Sequence, residues 1–116
     1  MKEVFFENTR IIVGKDVKDN AKLLDDYNHT DYIFIHLKAY PSSHVIILHN
    51  NPCEDTLMFA ANLCKEYSKY KYLKGLKVIY TPYNNVRKTT TPGAVTFKSN
   101  RKVKDLKIII PKYIDE

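Results

Sequence analysis

The chain has 116 residues, which suits one domain, expected here over 1–116, with a modest core. Hydrophobic residues make up 44% and charged residues 28%, a balance that excludes an intrinsically disordered chain. Nineteen Lys and Arg against thirteen Asp and Glu give a formal charge of +6. No apolar run reaches the ~18 residues of a membrane span, so no membrane association is expected.

Residues 4–6 and 10–13 read as short strands. The N-terminus, residues 1–7, has no long apolar segment of the signal-peptide kind, so a cytoplasmic protein is expected. Gly14 breaks the pattern. Asp16 reads as the cap of a first helix, with Asp19 at its third position and Val17, Ala21 and Leu24 on one face. Residues 28–31 form a turn. Two β-like runs follow, 32–37 and 45–48, joined by residues 38–43. If they pair as a hairpin, His36, His44 and the hydroxyls of Ser42 and Ser43 gather at one end of a sheet.

A second helix is expected with Asn51 as N-cap, Pro52 in its first position and Glu54 in its third. Leu57, Ala60, Ala61, Cys64 and Ser68 recur at helical spacing, widened by Phe59, Leu63, Tyr67 and Tyr70, so most of this helix is buried. Cys53 and Cys64 fall about 16 Å apart along it, beyond the ~7 Å that a disulfide spans. With no CxxC spacing, the two thiols imply neither a redox nor a zinc site. Gly75 ends the helical region. Residues 77–80 read as a strand, 81–85 as a turn, 94–97 and 106–110 as strands, and 98–105 as a basic, hairpin-like connection. Residues 86–91 show no strong period. The order predicts an α+β fold: a mixed, mainly antiparallel sheet with two main helices packed against it, on one side.

Charge is distributed unevenly. Acids dominate residues 16–31 and bases dominate 65–112, which suits a polyanion facing the C-terminal half, although solvated lysines also keep a small protein soluble. His36 and His44 admit three readings. Metal binding lacks a third donor at ligand spacing. Catalysis with Ser42 or Ser43 lacks an orienting carboxylate and a nucleophile elbow. Two imidazoles bonded to backbone at strand ends satisfy the spacing alone best. Residues 80–92 differ in kind. Tyr80, Tyr83, Asn84, Asn85, Arg87 and Lys88 mingle there with four threonines. Such a loop suits phosphate oxygens, and exposed tyrosine rings suit base stacking. Gly14-Lys15 lacks the remainder of a P-loop, so the glycine is expected to make a tight strand-to-helix turn.

Taken in order, these pieces resemble one family. Gly14-Lys15-Asp16 with Asn20 resembles its G-[RK]-[ND]-x-x-x-N opening. Asp31 with Phe34-Ile35-His36 resembles D-x-x-W-F-H, and Pro41-Ser42-Ser43-His44-Val45 resembles P-[GS]-S-H-V. The alanine-rich helix ending in Tyr67-Ser68 matches in turn. So do Val78-Ile79-Tyr80-Thr81-Pro82 with Val86-Arg87-Lys88, and Pro92-Gly93-Ala94-Val95. The family is NFACT-R, the RNA-binding domain of the NFACT proteins of fibronectin-binding-A-like and ribosome quality-control type, and the match covers roughly residues 10–110.

The resemblance implies an α+β RNA-binding domain, in standalone minimal form, that works beside tRNA and the ribosome. It implies no catalytic residue, no metal, no cofactor and no small-molecule substrate. DNA binding is a variant of the same reading. Phe34 and Ile35 stand where the family has Trp and Phe, so one aromatic contact is not expected here. Phosphate contacts are expected from Lys15, Arg87, Lys88, Lys98 and Arg101. His36, Ser43 and His44 are expected to line a polar pocket, with Tyr80, Thr81 and Asn85 beside it, and Asn20 completes the set. Two alternatives stay open: a protein-interaction module of a translation or replication complex, and an RNA-modifying enzyme built on His36, Ser43 and His44.

Overall fold

The structure is a computed structural model that describes residues 1–109; the residues beyond, including Ile110 of the last expected strand, lie outside it. Strands β1 (Lys2–Phe6) and β2 (Thr9–Val13) form a hairpin. Its two turn residues, Glu7 and Asn8, have φ of 47° and 71°, the left-handed pair that a two-residue turn requires if its twist is to match the strands. Helix α1 (Val17–Tyr27) follows, then β3 (Ile33–Leu37), β4 (Val45–Ile47), helix α2 (Glu54–Glu66) and β5 (Lys77–Pro82). The chain closes with β6 (Val86–Lys88), β7 (Val95–Phe97) and β8 (Lys104–Lys107). Six strands form one sheet in the order β1-β2-β4-β3-β5-β8, with antiparallel pairing between all neighbours, and β6 and β7 form a separate ribbon. The class is α+β, as expected.

Both faces of the sheet are covered, which corrects the expectation of helices on one side. Side chains alternate across a strand. Ile11, Val13, Ile33, Ile35, Val45 and Ile47 point one way, onto Ala60, Ala61 and Cys64 of α2. Ile12, Phe34 and Ile46 point the other way, onto Leu23 and Leu24 of α1 and onto Tyr83 and Val86. The two alanines let α2 approach closely. The middles of β2, β3 and β4 therefore have no wet side, and each reads as an unbroken apolar triplet rather than an alternation.

The helix starts differ from one another. Asp16 caps α1 as expected: its Oδ1 accepts the Asp19 N–H at 2.8 Å, while Asp19 Oδ2 accepts the Lys15 N–H at 3.1 Å. Helix α2 begins two residues later than the Asn-Pro signal suggested. Cys53 is its N-cap and makes no side-chain capping bond, and the Asn51 N–H is taken by His49 Nδ1 at 2.9 Å. A local imidazole thus captures the donor around which a cap at Asn51 would have formed.

Candidate nucleic-acid interface

The β3–β4 pairing sets Phe34 opposite Ile46 and Ile35 opposite Val45. One step further along, the same register brings His36 and His44 together, with ring centroids 5.4 Å apart and nearly perpendicular planes. Phe34 is fully buried beside both: His36 stacks at 6.1 Å and His44 meets it edge-on at 5.1 Å. Its ring is a packing element rather than an exposed stacking surface. His36 Nδ1 lies 2.7 Å from the Leu37 carbonyl, so that nitrogen carries the proton and donates, which leaves Nε2 as an acceptor. His44 is 2% exposed and its Nδ1 has no hydrogen-bond partner among the described residues. Burial, reinforced by the neighbouring His36, pushes the His44 pKa down to about 3, and burial also lowers that of His36. Both rings are neutral near pH 7.

The opening motif has a steric reason. The Gly14 N–H donates to the His44 carbonyl at 2.9 Å, and the returning His44 N–H donates to Asn20 Oδ1 at 3.1 Å. Asn20 thereby supplies the acceptor that the end of the ladder lacks. A Cβ on Gly14 would come within 2.5 Å of that oxygen, so glycine is required there for room. Gly93, at φ +79°, sits against Val17 and Asn20 and brings the β6–β7 ribbon to the same corner. Four of the sequence motifs, around Gly14-Asn20, His36, His44 and Gly93, thus meet at one place.

The serines do not join the imidazoles. Ser42 Oγ accepts the Leu37 N–H and donates to the Ser43 carbonyl, both at 3.1 Å. Ser43 Oγ donates to the Tyr67 carbonyl at 3.3 Å, at the end of α2. Neither hydroxyl is hydrogen-bonded to a histidine, so the nucleophile–base pair that acyl or phosphoryl chemistry needs is not made. No group of three or more His, Cys, Asp or Glu able to hold a metal occurs among the described residues.

A second cluster lies at the far end of the sheet. Strand β5 continues through Thr81 and Pro82, a 3₁₀ turn spans Tyr83–Asn85, and β6 begins at Val86, so the loop expected over 80–92 is confined to 89–94. Tyr83 is fully buried against Phe34, with centroids 5.2 Å apart; it is core, not a stacking ring. Asn85 is buried and engaged on all sides. Its Nδ2 donates to Thr81 Oγ1 and to the Ser99 carbonyl, and its Oδ1 accepts the Ser99 N–H, each at 2.9 Å. Thr81 Oγ1 in turn donates to the Lys102 carbonyl at 3.0 Å. The segment expected as a hairpin-like connection is instead a crossing from the ribbon to the main sheet, with a 3₁₀ turn at Asn100–Lys102. Thr81 and Asn85 hold that turn rather than present themselves to solvent.

The turn and the first residue of β8 carry the exposed cations. Arg101, Lys102 and Lys104, with Asn50, Asn51 and the half-buried Tyr80, line a groove of about 450 Å³. Lys98 is exposed next to it in sequence, its N–H donated to the Asn85 carbonyl at 2.9 Å. None of these four cations is in an ion pair with a described residue. Sequence reasoning missed Lys102, Lys104, Asn50 and Asn51. The run of bases from Lys98 was the available signal. The remaining expected residues lie elsewhere. Lys15 and Ser43 border a third depression, Arg87 and Lys88 are exposed on the ribbon, and Lys88 pairs with Asp25 of α1.

No helix among the described residues is long and apolar enough to cross a membrane. The family model for the NFACT protein RNA binding domain matches residues 3–99. The chain is 37% identical over 95 residues to the Rqc2 homolog RqcH of Bacillus subtilis (strain 168), covering 80% of this chain and 17% of that protein. It also resembles the solved C-terminal part of the fibronectin/fibrinogen-binding protein from Streptococcus suis. The TM-score is 0.82 at 25% identity, over 96% of this chain and 45% of that one. The chain thus spans less than half the length of either relative, and it belongs to the family of NFACT protein RNA binding domains.

Proposed function

We propose that this chain acts as one RNA-binding domain over residues 1–116. Its ligand is structured RNA such as tRNA, and it works in the cytoplasm as a ribosome-associated factor of ribosome quality control. The observation that carries this reading is the groove of Arg101, Lys102 and Lys104, where cations with no ion pair among the described residues line an open cleft beside two asparagine amides. Guanidinium and ammonium groups take phosphate oxygens, and amides take sugar and base edges. The buried Thr81–Asn85 bracket supports the reading because it fixes the backbone of the turn at both Ser99 and Lys102. A fixed turn loses less conformational freedom when it binds. Family membership and the +6 charge point the same way. No step of bond making or breaking is assigned to the chain.

The test is a competition of tRNA, duplex RNA, single-stranded RNA and duplex DNA at two salt concentrations. The logarithm of affinity should fall against the logarithm of salt by roughly 0.9 per duplex phosphate neutralised. Replacing Arg101, Lys102 and Lys104 together by Ala should cut that slope by about 3 and leave the fold intact. An affinity indifferent to salt would refute the reading, and failure to bind any nucleic acid at low salt would favour a protein-docking module instead.

A further inference from the structure

The two imidazoles open onto a groove distinct from the basic one. It measures about 430 Å³ and lies between the β3–β4 connection at Lys38–Pro41 and the ribbon residues Gly93, Val95 and Phe97. The two grooves share no residue. Its volume falls within the roughly 300–1,000 Å³ of small-ligand sites. Its chemistry is unlike that of a phosphate site. The one cation on its wall, Lys38, is paired with Asp105. The polar groups inside are two uncharged imidazoles, and the remaining walls are aromatic and aliphatic. His44 Nδ1 is buried and makes no hydrogen bond to a described residue, a cost that proteins seldom bear unrelieved. His36 Nε2 is left as an acceptor by the bond its Nδ1 makes. Tyr40, 37% exposed, lies on the lip with its ring against Tyr70 at 4.6 Å, which steadies an aromatic face at the entrance.

Hydrogen-bonding groups without charge, set among rings in a cleft of this size, fit a planar neutral heterocycle and not an anion. We propose that this groove holds one unpaired nucleobase of an RNA strand, its edge on His36 Nε2, its flank against the His44 ring and its face toward Tyr40. The inference rests on the RNA-binding reading above and adds to it a second subsite: phosphates on the Arg101 groove, a single extruded base on the imidazoles. A fully paired helix has no free base edge to offer, so the protein selects RNA with a bulge, loop or end.

The experiment compares the full chain on a blunt RNA duplex and on the same duplex carrying one bulged nucleotide, made with each of the four bases. At least one bulged duplex should bind roughly five-fold or more tighter than the blunt one. Ala94→Trp, which fills the groove from its exposed lip, should abolish that preference and leave blunt-duplex affinity and melting temperature unchanged. Should Ala94→Trp fail to fold, the imidazole nitrogen resonances of the unaltered protein decide. The rings of His36 and His44 should shift with bulged RNA and stay still with the blunt duplex. Equal affinity for all duplexes overturns the base subsite while leaving RNA binding standing. A preference kept by folded Ala94→Trp moves the base elsewhere and also overturns it. Ring shifts produced by adenosine 5′-monophosphate but not by bulged RNA make this a free-nucleotide site and refute the proposal. No binding to any RNA removes both readings.

Discussion

Gly14→Ala is a small change with a large expected cost. The new methyl would lie 2.5 Å from Asn20 Oδ1 and 3.0 Å from Leu23 Cδ1. The first distance cannot persist, so the Asn20 amide must turn away, and in turning it abandons the His44 N–H it accepts at 3.1 Å. An unpaired buried N–H costs about 1–3 kcal/mol. Crowding the fully buried Leu23 adds about 1–3 kcal/mol. The sum, about 2–6 kcal/mol, is a large share of the roughly 5–15 kcal/mol that holds a domain together. Thermal unfolding followed by circular dichroism should show a fall in Tm of about 10–25 °C. The cause can be isolated with Asn20→Ala. In that background the methyl meets no amide and only the crowding of Leu23 remains, so the second substitution should add about half of what it costs alone, a coupling of about 1 kcal/mol or more. A Tm within about 3 °C of wild type, or strict additivity of the two substitutions, would refute the reasoning.

Further outcomes follow from the same geometry. Asn85→Ala removes three buried hydrogen bonds and should cost about 2–4 kcal/mol. It should also speed hydrogen exchange at the Ser99 amide, and unchanged protection there would mean the bracket does not hold the turn. His36 and His44 are neutral in the folded protein, whereas the unfolded chain takes up their protons near the ordinary 6.5. The unfolded state therefore binds more protons at low pH. The contribution is intact above about pH 6.5 and is lost as pH falls below it, for His44 down to about 3, by at most about 1.4 kcal/mol per pH unit for each histidine. Urea midpoints at pH 7, 6 and 5 check the sign, and a His44 ring that titrates near 6.5 in NMR would contradict it. Lys88→Ala breaks an exposed ion pair with Asp25 and should change stability by less than about 1 kcal/mol in a chemical melt.

Much of this fold is legible in the chain, and what is not has identifiable causes. The Asp16 cap, the buried stripe of α2 and the pairing of the two histidine-bearing strands depend on near neighbours, so local spacing announces them. The two-sided burial was also written in the triplets Ile11-Ile12-Val13, Ile33-Phe34-Ile35 and Val45-Ile46-Ile47. An unbroken run cannot place one face wet, and that signal outranks the element order from which a one-sided sheet was expected. Tyr83, Thr81 and Asn85 misled for another reason. Polar residue types in a Pro- and Asn-rich stretch resemble a loop; the return of residues 99–102 from far along the chain gives Thr81 and Asn85 their buried partners, and Phe34 of β3 gives Tyr83 its own. For the same reason the Arg101 groove was half visible. Its charges stand in the sequence, while Asn50 and Asn51 reach it through folding alone.

A sheet with a covering on each side has a consequence for saturation mutagenesis. The tolerance map of β2, β3 and β4 should lack the every-other-residue rhythm of a half-wet strand, with rows of intolerance running straight across the three strands; β1 and β8, at the rims, should keep the rhythm. Scored for cellular abundance alone, such a map would place Asn20, Thr81 and Asn85 among the intolerant hydrophobic positions and pass over Arg101, Lys102 and Lys104. Scored for RNA capture per folded molecule, it would reverse that order. The two readouts together would separate the residues that build this surface from those that use it.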